Sequence, residues 1–157
     1  MKSFYSLSYL VLILMSLASN DAKAQSPNIE FNKHLADSLG ADDYGMKAYV
    51  LVILKTGPVK IENKALTDSL FRGHLNNIGR LAKEGKLVVA GPLKQNEKTY
   101  RGIFILNVKT LDEAKILLQS DPAVKEKLLE AELFQWYGSA ALPMYLKDHA
   151  RIEKNKI

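Results

Sequence analysis

Between residues 47 and 137 the apolar positions switch between short continuous runs and steps of three and four. Lys47 to Lys55 (KAYVLVILK) is a β-branched and aliphatic run, too short for an independent helix. Bounded by Gly45 and by Thr56-Gly57-Pro58, it predicts a buried strand. From Thr67 to Lys86, Leu70, Phe71, Leu75, Ile78, Leu81 and Ala82 fall on one helix face, and Gly85 terminates the helix. Leu87 to Ala90 (LVVA) predicts a short strand ending at a Gly91-Pro92 turn. Arg101 to Val108 (RGIFILNV) predicts another, paired antiparallel with the first through the polar Lys94 to Tyr100 connection. Thr110-Leu111-Asp112-Glu113 has the form of a capping box and starts a helix with Ala114, Leu117 and Leu118 inward. Asp121-Pro122 interrupts that helix, and Ala123 to Leu129 predicts a second short piece. Glu132 to Tyr137 (ELFQWY) supplies a fourth strand, ended by Gly138.

Strand, helix, two hairpin-linked strands, helix and strand make an α+β chain with the ferredoxin-like βαββαβ order, over residues 46–138. Both helices then cover one sheet face. Val50, Val52, Ile103 and Ile105 leave apolar residues on both sides, so a homodimer packed sheet to sheet is expected. Residues 25–45 read as an N-terminal arm, with Phe31, Leu35 and Leu39 on a short amphipathic helix before Gly40. Residues 139–157 form a C-terminal extension, where Pro143 opens a polar helix reaching about Lys154.

The first 24 residues follow another pattern. Lys2 precedes an apolar run, Tyr9 to Ala18 (YLVLILMSLA), and Ala22-Lys23-Ala24 has the small-x-small form cleaved by signal peptidase. The run is about half the roughly 20 residues of a membrane-spanning helix. A secretory signal peptide cleaved before Gln25 is therefore expected, with no stable membrane anchor afterwards. The 157 residues suit one domain, and 47% hydrophobic with 25% charged residues are ordinary globular values. Cysteine is absent, which removes disulfides, Cys-ligated zinc, iron–sulfur clusters and thiol catalysis. Export of such a chain points to the periplasm. The 22 basic and 17 acidic residues leave a charge of +5, but they are interspersed, so no nucleic-acid partner is expected.

Three histidines can be weighed one by one. His34 in the arm and His149 on the C-terminal helix lack a second His or Cys at ligand spacing. Both read as surface residues, and no metal site is expected. His74 lies between Phe71 and Ile78, at the margin of a buried helix face. It reads either as a packed histidine satisfied by backbone or solvent, or as a proton-transfer group if a partner orients it. Asp121 is the candidate partner, because a carboxylate accepting from one imidazole nitrogen fixes the tautomer and leaves the other nitrogen free. An Asp before Pro is equally an ordinary helix cap, and its two oxygens allow both roles. Gly91-Pro92 reads as a simple turn or as a cleft floor where a small ligand approaches the backbone. Trp136 and Tyr137 favour core packing over ligand stacking. Ser69, five residues before His74, is poorly placed for a nucleophile–base pair, and no G-x-S-x-G turn exists.

Taken in order, Gly73-His74-Leu75, Glu84-Gly85-Lys86-Leu87-Val88-Val89-Ala90-Gly91-Pro92, Leu111-Asp112-Glu113-Ala114 and Asp121-Pro122 resemble the YciI-like (YCII-related) family, across about Lys47 to Tyr137. With its leader, arm and C-terminal helix, the chain looks like an exported subgroup. The resemblance implies a ferredoxin-like protomer of the dimeric α/β-barrel superfamily, with a His/Asp-centred site in a cleft near the dimer interface. The family His falls on His74, the family Asp on Asp121, and the Gly-Pro element on Gly91-Pro92. It also implies acid/base chemistry without a cofactor on small, often cyclic substrates, dehydrochlorinase-like elimination being one example. The expected function is thus a metal-free acid/base enzyme performing elimination, isomerisation or hydrolysis. The alternative is a non-catalytic small-molecule-binding or accessory module using the same cleft. A cofactor-free monooxygenase is a third reading, by fold analogy.

Overall fold

The computed structural model describes residues 28–154. The expected signal peptide, residues 1–24, and the start of the arm lie outside the described residues. The chain divides into two units between Phe31 and Asn32. In the first, residues 28–31 make a turn in which the Phe31 amide donates to the Asn28 carbonyl at 3.1 Å. All elements below belong to the second.

Helix α1 (Lys33–Leu39) opens on Asn32, whose side chain accepts from the Leu35 amide. It buries no residue, so the amphipathic face expected there is largely uncovered. Its end is tied to the sheet by the Lys47 ammonium, which donates to the Leu39 carbonyl at 3.2 Å. Strand β1 (Met46–Thr56) leads to helix α2 (Lys64–Lys83), then β2 (Leu87–Pro92), β3 (Tyr100–Leu106), helices α3 (Leu111–Gln119) and α4 (Pro122–Lys125), and β4 (Leu129–Ser139). The sheet order is β2-β3-β1-β4 and every adjacent pair is antiparallel. This α+β arrangement is compatible with a ferredoxin-like fold.

Strand alternation decides what each face holds. Val50, Val52, Leu54, Phe104 and Leu106 point to the helices and form one buried cluster with Leu81, Ala114 and Leu118. On the opposite face Leu51, Ile53, Ile103 and Ile105 are partly covered, and Phe134 is half exposed. Apolar residues do therefore occupy both faces. Tyr49, also on that side, is fully buried beside Trp136, ring centroids 5.6 Å apart, and its hydroxyl donates to the Ser139 carbonyl.

Several boundaries differ from the sequence expectation for physical reasons. Helix α2 starts three residues earlier than Thr67, because Asn63 caps it by accepting from the Leu66 amide. It closes with the Gly85 amide on Ala82 and the Lys86 amide on Leu81, the hydrogen bonds of a Schellman motif. Strand β2 runs through Gly91-Pro92 instead of turning there. Pro92 pairs with Gly102 on an edge strand, where a missing N–H removes no inner ladder bond. Strand β4 likewise continues through Gly138, whose pairing with Lys47 belongs to a ladder spanning the whole of β1. A Cβ on Gly138 would lie 2.3 Å from the Trp136 ring, so the glycine makes room for that indole. Past β4, a 3-10 turn (Leu142–Tyr145) precedes helix α5 (Leu146–Ile152), in place of one helix from Pro143.

Candidate functional site

Helices α3 and α4 meet at Ser120-Asp121-Pro122, and this corner abuts the middle of α2. Asp121 caps α4, its Oδ1 accepting from the amides of Ala123 at 3.0 Å and Val124 at 3.3 Å. Its other oxygen, Oδ2, lies 2.6 Å from His74 Nδ1. One carboxylate thus contacts the start of α4 and the imidazole at the same time. Asp121 has no exposed surface and His74 retains 9%. An ionised carboxylate can only accept, so its pairing with this nitrogen corresponds to the tautomer that carries the ring proton on Nδ1.

Gly73 allows this approach. A Cβ there would sit 2.9 Å from Pro122 Cγ, so any larger residue would drive α4 away from His74. The corner is also pinned from outside: Arg80, two turns beyond His74, donates to Asn77 Oδ1 at 2.7 Å and to Ser120 Oγ at 2.8 Å. Phe71 meets the His74 ring edge-on and Phe104 stacks along it, centroids 6.3 and 5.9 Å away. The imidazole plane is held on three sides.

His74 forms part of the wall of a cavity of about 740 Å³ between α2, the β2–β3 half of the sheet and α5. That volume lies within the usual range for small-molecule sites. Among the described residues no buried side-chain nitrogen or oxygen lacks a partner. The His74 ring bonds through Nδ1 alone among them, so Nε2 is accessible at the cavity wall. Apolar surface comes from Leu54, Phe71, Ile78 and Phe104, and Gly91 and Pro92 line the strand edge.

Three residues singled out in the sequence, His74, Gly91 and Pro92, therefore border one cavity. Asp121 does not line it and reaches it only through the imidazole. His34 is exposed on α1, away from the lining. His149 is exposed, as its surface reading expects, and together with Leu146, Ala150 and Glu153 it also borders the cavity. The signal was present as a stripe at 146, 149, 150 and 153, one helix face, within a segment whose overall polarity concealed it. Lys83, at the end of α2, was also missed as a lining residue. Among the described residues no group of three or more His, Asp or Glu is placed to hold a metal ion. Nor, among them, is any helix long and apolar enough to cross a membrane.

Comparison with known proteins gives three results. No curated protein matches the chain. Among solved structures, 5-chloro-2-hydroxyhydroquinone dehydrochlorinase (TftG) from Burkholderia phenoliruptrix AC1100, in complex with 2,5-dihydroxybenzoquinone, is similar with a TM-score of 0.41 and 17% identity. The likeness covers 55% of this chain and 92% of that one. A protein-family match to the YCII-related domain spans residues 48–137, from β1 to β4 and including both His74 and Asp121. Because that match takes in more than half of the sequence, the chain belongs to the YCII-related domain family.

Proposed function

We propose that this protein is an acid/base enzyme acting on a small molecule, with His74 as the proton-transfer group and Asp121 as the residue that positions it. The observation carrying the reading is the 2.6 Å contact of His74 Nδ1 with fully buried Asp121, together with the accessibility of Nε2 at the wall of the cavity. With the Nδ1 proton held by Asp121, Nε2 presents a lone pair. It takes a proton from a C–H, an O–H or a water beside it, and the carboxylate stabilises the imidazolium that results. In an elimination the released electron pair forms a new π bond as chloride or another leaving group departs. In an isomerisation the same proton returns to a different atom, and in a hydrolysis the deprotonated water attacks. The apolar walls limit competing solvent, and Gly91-Pro92 provides backbone surface beneath the ligand.

Export to the periplasm, and pairing of two protomers through the open sheet face as a dimeric α/β barrel, belong to the same proposal. Partly covered Leu51, Ile53, Ile103 and Ile105 with half-exposed Phe134 support the pairing. Sedimentation of the mature chain should give two copies per particle.

The test of the chemistry is a panel of cyclic ketones and chlorinated hydroquinones, followed by deuterium incorporation from solvent and by chloride release. The wild type should accelerate at least one member, and His74→Ala should lose about 100-fold or more of that rate. Full activity in His74→Ala would remove the imidazole from the mechanism. Saturable binding without turnover across the panel would favour the binding-module reading.

A further inference from the structure

We infer that helix α5 is the selecting wall of the His74 cavity and that, with Lys83 and Arg101 at the mouth, it admits small ring-bearing acids: an apolar body carrying one anionic group. This deepens the proposed function by naming a substrate class for the same cavity.

Helix α5 lies outside residues 48–137, so this wall is separate from the family-matched domain. It is nevertheless attached firmly to that domain. The Ala140 amide donates to the Gly45 carbonyl at 2.8 Å, which fixes where the chain leaves β4. The Tyr145 hydroxyl then donates to the Val88 carbonyl, at the place where the β2–β3 register shifts. Burial pushes the Tyr145 phenol up, so the hydroxyl keeps the proton it donates. Tyr145 also meets His149 edge-on, centroids 6.4 Å apart, which turns that imidazole along the wall.

The chemistry of the lining specifies the ligand. Phe71, Ile78, Phe104 and Leu146 accept a hydrophobic ring. The charged groups of the lining are Lys83, Arg101 and Glu153, and His149 adds a hydrogen-bond donor in either protonation state. Lys55 and Arg80 are engaged by glutamates, whereas Lys83 and Arg101 make no ion pair among the described residues. Two uncommitted cations against one carboxylate give a mouth that attracts a single negative charge, while Glu153 disfavours a second. An acid bound there would lay its ring toward His74, where proton transfer is proposed.

The test compares binding of 1-naphthoate with that of its neutral isostere 1-naphthamide to the mature protein, by NMR titration. Naphthoate should bind about tenfold tighter, the scale of one charge-assisted hydrogen bond, and should shift resonances of His74, Phe104 and His149. Combined Lys83→Met and Arg101→Met should erase the preference, and Lys86→Met, a cation outside the lining, should leave it unchanged. Leu146→Ala should weaken both probes alike, as expected if α5 supplies the apolar wall. Equal affinity for the two probes, no saturable binding of either, or shifts confined to residues away from α5 would overturn the inference. Repeating the titration in His74→Ala separates it from the catalytic reading. An acid preference that survives there while turnover is lost supports both, and wild-type turnover without an acid preference overturns only this one.

Discussion

Asp42 and Asp121 divide their oxygens in the same way. Each gives Oδ1 to two backbone amides, those of Tyr44 and Met46 for Asp42 and those of Ala123 and Val124 for Asp121. Each gives Oδ2 to a side-chain donor, Tyr137 in one case and His74 in the other. Asp42 is exposed beside half-exposed Tyr137, and it staples the loop before β1 to β4. Asp121 is fully buried, and its donor is an imidazole whose second nitrogen reaches a cavity. The local motif thus supplies geometry alone. Whether it serves attachment or chemistry depends on the donor that the second oxygen meets and on how much water surrounds the pair.

Alanine substitution should separate the two most widely. Asp121→Ala removes a helix cap and leaves a buried imidazole N–H without an acceptor, so roughly 3 kcal/mol of stability should be lost. Urea denaturation measures this, and Asp42→Ala should cost far less because water replaces its contacts.

Asp121→Asn divides the two functions of one side chain. Its amide oxygen can still cap α4, but its NH₂ then faces His74 Nδ1 and drives the ring proton onto Nε2. We expect a roughly 100-fold or greater loss of proton-transfer rate with a smaller loss of stability than in Asp121→Ala. The ring nitrogen chemical shifts of His74 should report the exchanged tautomer.

Gly73→Ala tests the distance between the partners. The new methyl must displace Pro122, which should cost about 1–2 kcal/mol and lengthen the His74–Asp121 contact. Activity should fall more than stability alone explains, and the low-field proton signal of Nδ1–H should weaken.

The smallest effect belongs to the exposed pair and depends on pH. The hydrogen bond from Tyr137, followed by that from the Met46 amide, holds the Asp42 carboxyl below its ordinary value. A lowered folded value means stability present above the unfolded pKa and lost as pH falls through the folded one. The Tm difference between wild type and Tyr137→Phe should therefore shrink on acidification below about pH 4. The same contact raises the Tyr137 phenol, so that its contribution also fades as pH rises through the folded value, above about 10.

What could be read from the chain beforehand was what neighbouring residues decide. The Thr110 to Glu113 capping box, the Asp121-Pro122 corner and the β1 run are local signals, and each appears in the structure. The approach of His74 to Asp121, 47 residues later, stands in the sequence only as one option beside an ordinary helix cap, and the family resemblance favours it, since no local pattern encodes it. Gly91-Pro92 reads locally as a turn, yet β3 supplies a partner that extends the strand through it. What the surface reading of His149 leaves out is its place beside the cavity. Its helix carries one apolar residue per turn at most on the cavity side, and only the Tyr145 anchor reveals which body that face meets.

All eleven residues of β1 pair with β4, from Met46 opposite Ser139 to Thr56 opposite Leu129. This ladder joins the first and last strands of the sheet, so during synthesis β1 must wait until residue 139 has emerged before one of its edges is satisfied. A growing chain that stops short of Leu129 has β1 without this neighbour, exposing a Val- and Ile-rich edge that can pair with other chains. Closure by distant strands also slows folding relative to local pairing. The fold thus links solubility of the nascent protein to β4, and truncations before Leu129 should aggregate instead of yielding a smaller stable domain.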